Sequence, residues 1–159
     1  MASAMKSTLR LALLASALTG LVASVSVARA AGADAPPTDV LFFDHAKVDG
    51  MLAGPGGSLL NSSLYKVSVS RRTGPGIVEI HTHDTDVFYI LQGTGTFVTG
   101  GTAVGQESAG PGQIHAKSIV GGTEHHLSKG DVIIIPHGTP HQFTEINGPF
   151  LYFVVKVVQ

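Results

Sequence analysis

Apolar and polar residues alternate along much of this chain, beginning near residue 64. In the segment 65–70, Tyr65, Val67 and Val69 are separated by single polar residues. A period of two is typical of a strand with one buried face. The signal returns in short segments divided by turns, and the predicted strands span residues 76–83, 86–92, 94–99, 123–128, 131–135, 141–146 and 150–158. No helical period recurs after residue 64, so the pattern predicts an all-β domain.

One short helix is predicted ahead of these strands. Asp44 is a residue type that favours the N-cap position, and a helix over residues 45–52 would end at the glycine-rich segment 54–57. The apolar run VLFF at residues 40–43 is long enough for an edge strand. Residues 31–38, AGADAPPT, are polar and contain proline, so we expect a disordered linker there.

Glycine and proline punctuate the rest of the chain. The sequence holds 20 glycines and 8 prolines, and the predicted strands recur about every 8–12 residues. This spacing favours an all-β barrel or jelly roll over a sheet with crossover helices. The glycine-rich segment 100–122 is interpreted as an elaborated loop, which either covers the mouth of the barrel or lies on its surface.

The first 30 residues have the pattern of a secretory signal peptide. Lys6 and Arg10 precede an apolar run over residues 11–27, and Ala28-Arg29-Ala30 supplies a small-x-small cleavage site. A membrane anchor is the alternative, because a run of 17 residues is at the short limit for a spanning helix. The cleavage site favours removal. The pattern therefore predicts a periplasmic or secreted protein that begins at Ala31 and has no stable membrane association.

Charge and composition limit the partners of the mature chain. Removing residues 1–30 takes away three of the 10 basic side chains and none of the 11 acidic ones, which leaves a formal charge of −4 with His neutral. A mildly acidic surface without a basic run argues against nucleic acid and anionic membranes as partners. The chain has no Cys, which excludes disulfides and thiolate ligands. Its length and 43% hydrophobic content support a single domain over residues 39–159.

Two histidine-bearing segments are the candidate chemistry. Residues two apart in a strand share a face, so Glu79, His81 and His83 are expected to project together. Two imidazoles at this spacing can bind one cation. A solvated pair at a strand end is the alternative for this motif taken alone. However, a second segment, PHGTPHQF at residues 136–143, follows about fifty residues later and places His141 at the start of a new strand.

These two segments together resemble the two sequence motifs of the cupin family. The second motif fits in spacing: Gly130, five residues, Pro136, one residue, Gly138, two residues, His141. The resemblance implies a double-stranded β-helix with a site inside one mouth of the barrel. It also implies that His141 is a metal ligand.

The first motif fits with one departure. Gly76, His81 and His83 are present, but Asp86 stands one residue before the position of the family's glutamate ligand. The resemblance implies that His81, His83 and Asp86 complete the ligand set of His141. Asp86 would face inward with Phe88 by strand parity if residues 84–85 form a tight turn. The alternative is a turn carboxylate that bonds Thr85 or solvent.

Two other residues could replace Asp86 as the fourth ligand. Glu79 shares the strand face of His81, and His125 shares the parity of Leu127, which would be inward if Leu127 is a core residue. Neither position matches a ligand of the family motif. A buried structural role with a hydrogen-bond partner is the alternative for both.

Histidine and carboxylate ligands suit one divalent transition-metal ion, namely Fe, Mn, Ni, Cu or Zn. The resemblance implies a metal-dependent enzyme that acts on a small organic molecule, with a dioxygenase ahead of a lyase, decarboxylase or isomerase. Glu79 or Tyr89 would donate or accept a proton if inward, and the predicted apolar wall comprises Phe88, Ile90, Phe97 and Phe143. A non-catalytic barrel that binds a small molecule or a metal is the alternative. Cupins often pair, so residues 39–52 are a candidate arm of a homodimer.

Overall fold

The computed structural model of the protein describes residues 34–159. Its elements, in chain order, are α1 (His45–Ala53), β1 (Gly56–Asn61), β2 (Tyr65–Arg72), β3 (Val78–His81), β4 (Asp84–Thr99), β5 (Thr102–Val104), β6 (Glu107–Gly110), β7 (Gln113–Ala116), β8 (Ser118–Val120), β9 (Thr123–Ser128), β10 (Val132–Ile135) and β11 (His141–Val158). Within residues 34–159, no helix combines the length and the apolar character that a membrane span requires. The predicted signal peptide at residues 1–30 and the first three residues of the predicted linker lie outside the described part of the chain.

Two long antiparallel strands, β4 and β11, form the centre of the fold. They pair with each other along most of their length. The C-terminal half of β11 also pairs with β2, and its first residue pairs with β3. On the other side, β4 pairs with β9 and β10. This arrangement is a double-stranded β-helix with one short helix, which confirms the predicted fold class.

Both long strands bend at glycines where the sequence pattern predicted breaks. Gly93 has a φ of +86°, and a Cβ at this position would lie 2.6 Å from the carbonyl oxygen of Pro149. Only glycine allows the two strands to approach this closely. The register between β4 and β11 shifts in the same region, between Asn147 and Leu151. The predicted pairs of strands are therefore continuous strands with bulges.

The glycine-rich segment 100–122 is not a loop, and that expectation was wrong. It contains β5 to β8. Strands β6 and β7 extend the main sheet beyond β3, while β5 and β8 form a separate two-stranded sheet. Glycines with positive φ make tight turns between these strands, for example Gly105 at +69° and Gly112 at +70°. Gly112 lies in the hairpin turn between β6 and β7, whereas Gly105 lies in the connection from β5 to β6, which belong to different sheets.

The N-terminal region contains the predicted helix and lacks the predicted strand. Asp44 caps α1 by accepting a hydrogen bond from the Lys47 amide at 2.8 Å. The predicted edge strand at residues 40–43 was wrong, because these residues form no strand. Val40 is 95% exposed and Phe42 is 83% exposed. Asp34, in the described part of the predicted linker, forms a single parallel bridge with Ser62.

Two apolar clusters lie on opposite faces of the sheet. The larger one lies in the barrel interior and comprises Phe88, Ile90, Phe97, Leu127, Ile135, Phe143, Phe150, Tyr152 and Val154. It confirms the inward orientation predicted for the four members of the apolar wall. The smaller cluster includes Val78 and Ile80 of β3. Because side chains alternate along a strand, Glu79 and His81 point to the other face of β3, toward the barrel interior.

Candidate metal centre

Three side chains from two paired strands meet at one end of the barrel interior. Glu79, His81 and His141 each offer one potential ligand atom, and these atoms lie within 4.8 Å of one another. His141 is directly opposite Glu79 in the register of β11 and β3. The Gly138 amide donates to the carbonyl oxygen of His81 at 2.8 Å, which ties the turn before His141 to the end of β3.

His141 presents an unpaired nitrogen to this group. Its Nδ1 lies 3.0 Å from the carbonyl oxygen of Thr139. A carbonyl only accepts hydrogen bonds, so the proton belongs on Nδ1 and the lone pair on Nε2. Nε2 is buried and has no hydrogen-bond partner in the described part of the chain. Burial lowers the pKa of His141 below its ordinary value of 6.5, although the hydrogen bond to Thr139 acts in the opposite direction. The lowered pKa favours the neutral, ligating form of the imidazole.

His81 is arranged in the same way. Its Nε2 lies 3.4 Å from Oδ2 of Asp86, which favours a proton on Nε2. Its Nδ1 is buried without a hydrogen-bond partner among residues 34–159. The ring centroids of His81 and His141 are 5.1 Å apart. Two buried, unpaired imidazole nitrogens beside a carboxylate form a donor set that fits a divalent cation, because buried polar atoms otherwise find partners.

Asp86 points inward, as strand parity predicted, but its charge is already engaged. It is 1% exposed, and both of its oxygens lie 2.7 Å from Nζ of Lys156. Its other polar neighbour is His81, whose Nε2 lies 3.4 Å from Oδ2. The structure thus places Asp86 behind His81 and outside the group of three, in the position of a carboxylate that orients a ligating imidazole. The alternative of a turn carboxylate facing solvent does not hold.

His83 is not brought to the group, contrary to the expectation that residues 79, 81 and 83 project together. Strand β3 ends at His81, and residues 82–83 form a bend, so the two-residue alternation stops there. The His83 side chain is exposed. It lines a separate surface depression with Lys66 and Asp84, which form an ion pair at 2.8 Å.

Tyr89 and His125 also lie apart from the three. Tyr89 is 47% exposed and has the opposite parity to Phe88, so it lies on the outer face of β4 and cannot transfer protons inside the barrel. His125 shares parity with the buried Leu127, as expected. However, its Nε2 lies 2.9 Å from Oγ1 of Thr99, so His125 has a structural partner of its own.

Six polar residues of the site were not identified from the sequence. They line a cavity of about 200 Å³ together with the group of three, and they are Ser68, Ser70, Arg72, Gln142, Tyr152 and Lys156. One signal could have revealed Lys156, because it interrupts the apolar run FVVKVV with the parity of the inward Val154. No comparable signal marks Arg72, which ends an ordinary alternating strand.

Comparisons with known proteins agree with this architecture. The sequence model of the family described as Cupin matches residues 55–158. A Klebsiella pneumoniae protein with a double-stranded β-helix domain is 19% identical, with a TM-score of 0.53, over 76% of this chain and 91% of its own. A Bacillus halodurans protein is 17% identical, with a TM-score of 0.55, over 80% and 86% of the two chains. At these identities the likeness concerns the fold alone. No curated protein matches the sequence.

Proposed function

Because this chain belongs to the cupin family, we propose that it is an enzyme with one divalent transition-metal ion held by Glu79, His81 and His141, acting on a small organic molecule. The observation that carries the proposal is the pair of buried imidazole nitrogens without partners. Two imidazoles and one carboxylate are also the donor set of non-haem Fe(II) oxygenases, which keeps a dioxygenase ahead of a lyase, decarboxylase or isomerase. The bound ion would supply Lewis-acid or redox chemistry.

The residues around the proposed site have distinct roles. The carbonyl oxygen of Thr139 and the carboxylate of Asp86 hold the two imidazoles with their lone pairs toward the cavity. Phe88 and Phe97 exclude water from one wall. With Glu79 as a ligand, Lys156 is the side chain in the cavity that can hold a proton at Nζ, beside Asp86.

Metal analysis of ligand variants tests the proposal. The full chain should bind about one ion, and His81→Ala or His141→Ala should abolish binding. Glu79→Ala should weaken it strongly, while Asp86→Ala should weaken it less because Asp86 acts through His81. His83→Ala is the matched control and should bind the ion like the wild type. Loss of the ion in His83→Ala, with retention in Glu79→Ala, would restore the ligand set implied by the family motif.

Oxygen-uptake screening of the metal-loaded protein tests the catalytic part of the proposal. Turnover should disappear on chelation and in His141→Ala. A protein that binds its ion but turns over no small molecule, with or without oxygen, would instead be a non-catalytic binding barrel.

We also propose that the chain is exported and cleaved before Ala31. The support is the basic, apolar and small-x-small order of residues 1–30. N-terminal sequencing of the protein from the periplasm or medium should begin at Ala31. Recovery of residues 1–30 in a membrane fraction would establish the anchor instead.

A homodimer is proposed from the outer face of the sheet. The strand register places one apolar row across four neighbouring strands, formed by Val67, Val155, Val87 and Ile134. Ile134 is 63% exposed. The row continues at one end into a groove where Leu41 and Phe43 face Tyr65 and Val67. Val67, Val87 and Val155 are partly buried, so the row is open to solvent mainly at Ile134. Apolar surface of this kind favours an interaction site, and the predicted arm adjoins it.

Light scattering after size-exclusion chromatography tests this pairing. The wild type should be a dimer and Ile134→Lys a monomer. Val104→Lys is the control, because Val104 is an exposed apolar residue of the separate small sheet. A monomeric wild type would contradict the proposal.

A further inference from the structure

Arg72 lies in the same cavity as the proposed metal ligands. It is the last residue of β2 and has the parity of Ser68 and Ser70, whose side chains also line the cavity. Its side chain is half-buried. The intervening residue Val69 points to the other face of the strand. Strand parity therefore directs the guanidinium toward the space in front of the ligands.

The guanidinium is held in place by neutral groups. Its Nε donates to Oη of Tyr152 at 3.0 Å. Its central carbon lies 4.9 Å from the ring centroid of Phe143, a cation–π contact. The backbone at Gly76 is so close that a Cβ there would lie 2.7 Å from Nη1. These contacts fix the orientation of Arg72 and leave its charge uncompensated.

No carboxylate in the described part of the chain pairs with Arg72. The ion pairs among residues 34–159 join Lys66 to Asp84, and Asp86 to both His81 and Lys156. The remaining carboxylate of the cavity, Glu79, belongs to the group of three. Lys156 is paired with Asp86, and Glu79 is a proposed metal ligand, so Arg72 has no carboxylate of its own whether or not an ion is bound. A half-buried cation with no partner of opposite charge is a site for an anion.

We propose that Arg72 binds the carboxylate of a short-chain carboxylic acid, which is the substrate class of this protein. The planar fork of a guanidinium matches a carboxylate with two parallel hydrogen bonds. The apolar wall of Phe88, Phe97 and Phe143 suits the carbon skeleton of the acid. At about 200 Å³, the cavity is smaller than the roughly 300–1,000 Å³ of sites for drug-sized ligands, which favours an acid of a few carbons.

The identification of the acid as substrate rests on the proposed function, whereas the anion site itself does not require the metal. Calorimetric titration of the full chain with acetate, malonate and succinate, before and after chelation, therefore tests the anion site separately from the metal. At least one of these acids should bind in both forms, and the neutral malonamide should not. Arg72→Gln should weaken binding about ten- to a hundredfold, because it removes a hydrogen bond to a charged group. The affinity of Arg72→Lys for the acid should lie between that of the wild type and that of Arg72→Gln.

The preceding arginine provides a matched control. Arg71 donates to the carbonyl oxygens of Leu52 and Ala53 and lies away from the cavity, so Arg71→Gln should bind the acid like the wild type. Circular dichroism of Arg72→Gln should show the folded barrel, and its metal content should be unchanged.

Three results would overturn the proposal. The first is failure of all three acids to bind, and the second is wild-type affinity in a folded Arg72→Gln variant. The third is binding of inorganic phosphate at Arg72 in preference to the acids. Acid binding that depends on Arg72 in a chain that never binds a metal would keep the anion site and reject the proposed metal enzyme.

Discussion

At the residue scale, the site consists of two imidazoles whose free nitrogens are set by their other neighbours. A hydrogen bond to the Thr139 carbonyl sets the tautomer of His141, and the Asp86 carboxylate, 3.4 Å from Nε2 of His81, favours a proton on that nitrogen. Lys156 in turn neutralises Asp86. A charged partner left unpaired in the interior costs several kcal/mol, so Asp86→Ala should lower the free energy of unfolding as well as weaken metal binding.

The metal-free protein should lose stability in acid because of His141. Burial lowers the pKa of His141 in the folded state below its ordinary value of 6.5. The unfolded chain therefore takes up this proton first, and the free energy of unfolding falls as the pH drops through 6.5 toward the folded-state pKa. Above 6.5 the effect is absent. Urea unfolding at about pH 8 and about pH 5 should show that the free energy of unfolding falls more for the wild type than for His141→Gln.

The control for this titration is His137→Gln, because His137 is an exposed residue of the turn before His141. The free energy of unfolding of His137→Gln should fall between the two pH values by as much as that of the wild type. Equal losses in the wild type and His141→Gln would contradict the assignment to His141.

At the scale of elements, two long strands position most of the core and the site. β11 contributes both His141 and Lys156, and β4 contributes Asp86 and Phe88. Their bends at glycine allow each strand to pair with different neighbours along its two halves. Glycine is therefore required at particular points of the sheet and is replaceable in the helix.

Two glycine substitutions should have opposite effects on stability. Gly56 begins β1 with a φ of +95°, and a Cβ there would overlap the carbonyl oxygen of Val69. Gly56→Ala should lower the free energy of unfolding by about 1–3 kcal/mol or more. Gly50 lies inside α1 with open space around its Cα, so Gly50→Ala should raise it by about 0.5–1 kcal/mol. Urea unfolding measures both, and a neutral Gly56→Ala would contradict the assigned close approach.

At the scale of the whole molecule, the apolar interior and the proposed metal centre are adjacent but separable. Nine buried residues form the larger cluster, and none of the three proposed ligands belongs to it. The barrel thus has a core that does not depend on a metal ion.

Chelation should abolish metal binding and leave a folded barrel by circular dichroism. Leu127→Ala, which opens a cavity in the core, should lower the free energy of unfolding by about 2–5 kcal/mol and keep the ion. His141→Ala should lose the ion with a smaller loss of stability. A chelated protein that unfolds outright would indicate a structural metal.

Local patterns predicted much of the fold. Alternation identified the strands and the inward orientation of Phe88, Phe97 and Leu127, since side-chain parity is a property of the strand itself. The cap at Asp44 likewise needs only its own helix turn. The four short strands of residues 100–122 were missed because three or four residues are too few to establish a period.

The sequence by itself determined the all-β class, the cupin resemblance and the placement of His81 and His141. Only the tertiary structure decided which residues stand beside them. Glu79 rather than His83 completes the group because β3 stops at His81. Asp86 meets Lys156 across a separation of 70 residues, and Arg72 reaches Tyr152 across 80. Such partners follow from strand pairing over long separations, which parity within one strand cannot specify.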